Sequence, residues 1–293
     1  MRLIDAHHHL WDLGAVHYPW LMERGARRFF GDPTPIQRDY LPADFRQDIG
    51  SIPIGGSVHI QVGAAPDQSV AETRWLDRQA AATGLPSAII AYADLPSPAL
   101  AGSLSEHIGA SARLRGVRQI VSRHPDEDRV SGTPGLLEDK GFTAGLALLA
   151  ERGLSFDLQL SAPYLRLAAD VFGTVPDLQV ALCHAGSPWD QSAQGLKGWR
   201  DGLGAFAELP GACIKLSGVG MFDPDWTGQS LERVVAPVLE IFGADRVMWG
   251  SNFPVDKLYR SYRALFDAIW SLIPADDREQ VFGGTARRFY RLD

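Results

Sequence analysis

Eight short β-like runs, each followed by a stretch long enough for a helix, recur along the chain, and this alternation narrows the possible folds more than any other feature. The runs are RLIDAH (2–7), GSVHIQV (56–62), SAIIAYA (87–93), GVRQIV (116–121), LSFDLQL (154–160), LQVALCH (178–184), ACIKLS (212–217) and RVMWGS (246–251). A strand that returns through a helix to a parallel neighbour is a βαβ unit, and eight such units in 293 residues predict an α/β fold, the (β/α)8 TIM barrel. The rival is an open doubly wound sheet. It would normally carry a Gly-rich phosphate turn after an early strand, and none is present.

Residues 67–84, 136–153 and 229–243 read as amphipathic helices, each ending on a glycine where a C-cap is expected. The stretch DDREQVFGGTARRFYRL (276–292) reads as a closing helical element. Residues 11–50 form an unusually long connection, and loops of that length often serve as lids or substrate-binding walls. No linker or low-complexity tract interrupts the pattern, so residues 1–293 are expected to make one barrel domain.

The octapeptide DAHHHLWD (5–12) places three imidazoles at the end of the first strand. Side chains alternate along a strand, so His7 and His9 are expected to share a face with Asp5, while His8 joins Ile4 and Ala6 on the other. The same parity, with apolar residues assigned to the helix side, turns His59 and Gln61 inward on the second strand and Arg118 inward on the fourth. It also turns Asp157 and Gln159 inward on the fifth strand, Lys215 and Ser217 on the seventh, and Met248, Gly250 and Asn252 on the eighth. Polar groups thus gather near the strand C-termini, where barrel sites lie, and a shared site accounts for them. His184 ends the sixth strand at the turn ALCHAGSPW. With His7 and His9 it makes a set of three imidazoles that suits zinc or a related divalent ion, or equally a metal-free polar site.

Acidic residues outnumber basic ones 35 to 28, giving a formal charge of −7 with no basic run. That argues against nucleic-acid or anionic-membrane partners and leaves a small molecule as the expected one. No apolar run could cross a bilayer and no targeting segment is visible, so a cytoplasmic location is expected. Cys183 and Cys213 lie in apolar strands and read as reduced core thiols.

The motifs IDAHHHLWDL, YPW, DYLPADF, GVR, HAGSP, KLSG, GSNFPV and GGTARRFYRL occur in this order across almost the whole chain. In them the sequence resembles the amidohydrolase superfamily, and within it the amidohydrolase-2 group of L-fuconolactonase, L-rhamnono-lactonase and 2-pyrone-4,6-dicarboxylate lactonase types. The resemblance implies a (β/α)8 barrel that hydrolyses a sugar-acid or carboxylate-bearing lactone, with His7, His9 and His184 in the site. It also implies at most one weakly held divalent metal, zinc by donor type, on those three histidines. The fifth strand offers Asp157 and Gln159 in place of a further histidine, and the fourth has no lysine to carbamylate.

One position departs from the group's pattern. Its eighth strand usually reads G-S-D-[WF]-P, with the Asp activating water, and here that position is Asn252. An amide orients water but accepts no proton at neutral pH. The base then falls to a histidine, to metal-bound water, or to Asp256 four residues on. Arg118 and Lys215 suit a substrate carboxylate or the oxyanion of a tetrahedral intermediate, or else an ion pair with Asp5 or Asp157. Trp11 and Trp189 suit stacking on a ring; Arg123 and His124 are further loop candidates. The leading expectation is a lactonase in which His7, His9, His184 and Asn252 act on the reacting atoms and Trp11, His59, Gln61, Arg118, Gln159, Trp189 and Lys215 bind substrate. The alternatives are a metal-dependent decarboxylase of the same superfamily and a non-catalytic ligand-binding barrel.

Overall fold

In the computed structural model, which describes residues 2–25 and 28–292, eight parallel strands pair in chain order. They are β1 (Leu3–His8), β2 (Ile54–Ile60), β3 (Ala88–Ala91), β4 (Leu114–Val117), β5 (Ser155–Leu158), β6 (Val180–Leu182), β7 (Ala212–Leu216) and β8 (Val247–Trp249). Each of the eight expected runs overlaps a strand, with β1, β2 and β4 reaching beyond the expected bounds. The fourth departs most: it starts at Leu114, and beyond Val117 its ladder continues only through the Arg118 N–H to the Ala91 carbonyl at 2.8 Å and a bridge between Ile120 and Gln159.

Two apolar clusters divide the core. Outward residues such as Val117, Phe156, Leu158, Val180, Leu182, Ile214, Leu216, Val247 and Trp249 pack with the helices. A helix over Gly228–Phe242 shows why: Leu231, Val234, Val235, Val238 and Phe242 recur at helical spacing and make one buried stripe, and Gly243 caps it. The smaller cluster lies inside the barrel, where Ile4, Ala6, Val58, Ile60, Ala88, Ile90, Ala181, Cys213 and Met248 meet Ala286, Phe289 and Tyr290 of the C-terminal helix Thr285–Tyr290. That helix plugs the ring. Cys183 and Cys213 are both buried and free.

The parity expected for two strands is corrected. On β2, Val58 and Ile60 belong to the inner cluster, so His59 and Gln61 face away from the axis. The expectation equated polar with inner, but both faces are buried here, and His59 is accommodated on the outer one by accepting from the Leu10 N–H at 3.1 Å. On β1, Asp5 pairs with Ser57 and His8 with His59, so three steps on one strand oppose two on the other. This bulge shifts the alternation. Ile4 and Ala6 turn inward, and Asp5 accepts from the Tyr262 hydroxyl at 3.0 Å and the Ser251 N–H at 2.9 Å instead of joining His7 and His9. His8 stacks on Phe45 of the helix Pro42–Ile49, rings 4.1 Å apart.

The ring closes between β8 and β1 just beyond the strand ends, where the Asn252 N–H donates to the His7 carbonyl at 2.7 Å and the His9 N–H to the Phe253 carbonyl at 2.8 Å. Gly250 permits this approach, since a Cβ there would lie 2.6 Å from the His7 Cβ. Among the described residues no helix is long and apolar enough to cross a membrane.

Candidate active site

A cavity of about 250 Å³ opens at the C-terminal ends of the strands. Of the expected residues, His9, Trp11, Arg118, Gln159, His184 and Asn252 line it, as does the loop candidate Arg123. His7 stands directly behind, its ring 4.6 Å from that of His184 and 5.2 Å from that of His9.

Local backbone geometry aims two of these groups. Residues 184 to 187 all have positive φ (53°, 53°, 71° and 48°), a left-handed turn unusual for three non-glycine residues. It is held by the Trp199 indole N–H, which donates to the Ala185 carbonyl at 2.7 Å, and by Ser217 Oγ, 3.1 Å from His184 Nδ1. Gly218 leaves room for this ring, because a Cβ there would overlap His184 Nδ1. Asn252 also sits at positive φ, 56°, a conformation that Asn tolerates better than most residues.

His9 donates from Nδ1 to the Ile60 carbonyl at 2.8 Å, which leaves Nε2 as an unprotonated acceptor toward the cavity, 3.2 Å from Asn252 Oδ1. Burial, and then the charge of Arg118, push the His9 pKa down to about 3. The His9 imidazole is therefore neutral at physiological pH. The Asn252 Nδ2 donates to Asp256 at 2.6 Å, and burial lifts that carboxyl to about 7. Arg118 donates to Gln159 Oε1 at 3.1 Å and to the Gln61 carbonyl, and its Nε is buried without a partner. Its immediate partners are neutral.

Several expected binding residues lie elsewhere. Lys215 sits deeper in the barrel in a fully buried ion pair with Asp157, whose Oδ1 also accepts from the Tyr290 hydroxyl at 2.8 Å. Gln61 contributes its carbonyl to Arg118, and its side chain accepts from the Gly63 N–H at 2.6 Å rather than lining the cavity. His59 is on the outer face of β2. Trp189 donates to the Arg123 carbonyl at 2.8 Å and backs Phe29, with ring centroids 5.6 Å apart. His124 caps the helix Pro125–Ser131 by accepting from the Asp126 N–H.

Trp20, Arg28, Phe29 and Phe30 were not singled out, yet they form a cavity wall from the long first connection. Tertiary bonds place that segment: Trp20 donates to the Val62 carbonyl at 2.7 Å, Tyr259 to the Phe30 carbonyl at 2.5 Å, and Trp11 and Tyr40 exchange backbone bonds. The length of the 11–50 connection and its YPW signal point to such a wall, but nothing in the sequence marks Arg28, Phe29 and Phe30. Residues 26 and 27 of this connection lie outside the described residues, as do residues 1 and 293 of the expected domain. The wall brings the arginines at the cavity to Arg28, Arg118 and Arg123. Arg28 and Arg123 share one carboxylate, Glu127, at 3.6 and 4.0 Å.

Zinc would suit neutral imidazoles, and His7 has both ring nitrogens buried without partners. As placed, however, no three His, Cys, Asp or Glu side chains among the described residues are arranged to hold one ion. The donor chemistry suits the metal and the placement does not close a site, so no step below runs through it.

Burial also makes the metal-free protein acid-sensitive. His7, His8, His9, His59 and His184 are all pushed below 6.5, chiefly by desolvation, so unfolding takes up protons as pH falls below that value. Asp5 (about 6), Glu72 (about 7) and Asp256 (about 7) act oppositely, because the native state holds their protons until pH rises through those values. Stability should therefore decline gently from pH 6.5 to about 4.5. It should fall more steeply below about 4, where unfolded carboxyls also protonate and the offset ends. Thermal melts across this range test it, and a Tm that rises from pH 6 to pH 4 contradicts it.

A ring of parallel strands with imidazoles from its first and sixth members, a guanidinium from beyond the fourth and an amide from beyond the eighth defines an α/β-barrel enzyme of the amidohydrolase type. The chain belongs to the amidohydrolase family, whose model matches residues 4–292. It is 37% identical to an uncharacterized protein of Sinorhizobium fredii, over 100% of this chain and 99% of that one. It is 30% identical to an L-fucono-1,5-lactonase of Burkholderia multivorans, over 99% of this chain and 96% of the relative. Among solved structures, an amidohydrolase from Burkholderia multivorans with bound zinc superposes with a TM-score of 0.84 at 26% identity, each chain covered fully.

Proposed function

We propose that the protein opens a small lactone that carries a carboxylate or is derived from a sugar acid. The observation that carries this reading is the His9 imidazole, neutral and fixed in its tautomer by Ile60, with its free nitrogen at a cavity that Arg118 also lines. Water attacks the lactone carbonyl while His9 Nε2 takes its proton; Arg118 faces the oxyanion that forms. Collapse of the intermediate breaks the ring C–O bond, His9 returns the proton to the leaving alkoxide, and a hydroxy acid departs. The surplus of guanidinium groups suits an anionic substrate, and Trp11, Trp20, Phe29 and Phe30 suit the face of its ring. The lactonase relatives support the reaction class. Of the two cofactor states expected, one weakly held divalent ion on His7, His9 and His184 or none, this mechanism is the metal-free one, because an ion on His9 would occupy the same Nε2.

The test is a hydrolysis screen of aldonolactones and carboxylate-bearing lactones with the native protein, with and without chelator. Turnover of a lactone is expected, and loss of that turnover in chelator would assign a required metal. Lactones that bind without turnover would favour the ligand-binding barrel. Release of carbon dioxide from aromatic carboxylates, with no lactone opened, would favour the decarboxylase.

A further inference from the structure

The side chain of Asn252 has two unlike ends, and the structure binds them to unlike neighbours. Nδ2 donates to Asp256 Oδ2 at 2.6 Å, while Oδ1 lies 3.2 Å from His9 Nε2. Since His9 spends its Nδ1 proton on Ile60, both atoms of the second contact are acceptors. Two facing acceptors repel unless a donor is supplied. Turned over, the amide would donate to His9 Nε2 and improve that contact, but its oxygen would then face a carboxylate.

Above a pH of about 7, where Asp256 has lost its proton, the charge-assisted bond decides the orientation, because a hydrogen bond to an ionised acceptor is roughly twice as strong as a neutral one. Asp256 is itself held in place, accepting from the Gly220 N–H at 2.9 Å, and only 3% of it is exposed. Its carboxylate therefore cannot turn aside to solvent and release the amide.

We propose that Asp256 is a positioning residue that locks the Asn252 amide with its oxygen toward His9, so that Asn252 offers the base no donor and one water can donate to both acceptors. The inference rests on the reading of His9 as the base. It also explains how an amide can stand at the end of β8: the negative charge has moved four residues along the chain and acts through Asn252. A carboxylate at 252 beside the native Asp256 would set two acids in contact, whereas exchanging the two residues would preserve the pair.

The experiment compares wild type with Asp256→Asn, Asn252→Asp and the exchanged double variant N252D/D256N. Three readouts are taken: thermal melting to establish folding, 15N-histidine NMR of His9 Nε2 at pH 8, and turnover of the best lactone from the screen. In folded Asp256→Asn the His9 Nε2 resonance is expected to move toward the hydrogen-bonded position and kcat to fall by about 10²-fold with KM little changed. Asn252→Asp should also lose activity, and the exchanged variant should recover both the resonance and most of the rate. An unmoved His9 signal in folded Asp256→Asn, an exchanged variant no better than either single one, or a gain of activity in Asn252→Asp would each overturn the proposal. If wild type opens no lactone, the functional reading fails, while the NMR comparison still decides the lock.

Discussion

Replacing His9 with asparagine should lower kcat for lactone hydrolysis by about two to four orders of magnitude while KM changes little. Asparagine can still donate to the Ile60 carbonyl, but it has no group able to take a proton from water. Of the three histidines in the cluster, His9 alone combines a fixed tautomer with a place in the cavity lining; His7 stands behind it, and His184 is engaged through Nδ1 with Ser217. Steady-state kinetics on folded variant protein measure the effect. A kcat within a few-fold of wild type would mean that His9 is not the base.

Arg118→Met should cost about 10²- to 10³-fold in kcat, the range typical for removal of an oxyanion donor. The same change should leave a second mark. The Arg118 charge helps to hold His9 and His184 below their ordinary pKa, so its removal lets both rise, although desolvation still keeps them depressed. The pH at which activity falls away on the acid side should therefore move upward in Arg118→Met and less so in Arg118→Lys. A variant with reduced kcat and an unmoved acid limb would show that the Arg118 charge does not tune the histidines, and one with raised KM and unchanged kcat would show that Arg118 acts only by binding.

The barrel was legible because its evidence is repeated: eight runs, apolar outward faces on β4 to β8, and glycine-capped helices each point to the same architecture. Arg118, Gln159 and Asn252 follow from that alternation. The reading failed where a local irregularity or a second buried face intervened. The bulge in β1 moved Asp5 to the Tyr262 side, and in β2 the apolar residues turned out to fill the barrel rather than cover it. Lys215 has the expected direction but not the expected depth, because Asp157 captures it inside the barrel. Arg28, Phe29 and Phe30 could not be read from periodicity, since contacts distant in sequence shape their segment.

The seam between the first and last strands is tied by the peptide groups of His7, His9, Asn252 and Phe253, and Gly250 sets how near its two sides can come. Reactivity and integrity therefore share one stretch of main chain. Laboratory evolution of new specificity would do better to vary the arginine- and aromatic-bearing wall, which hangs on the outside of the rim, than the rim itself. Changes there can reshape what enters without unfastening the hoop.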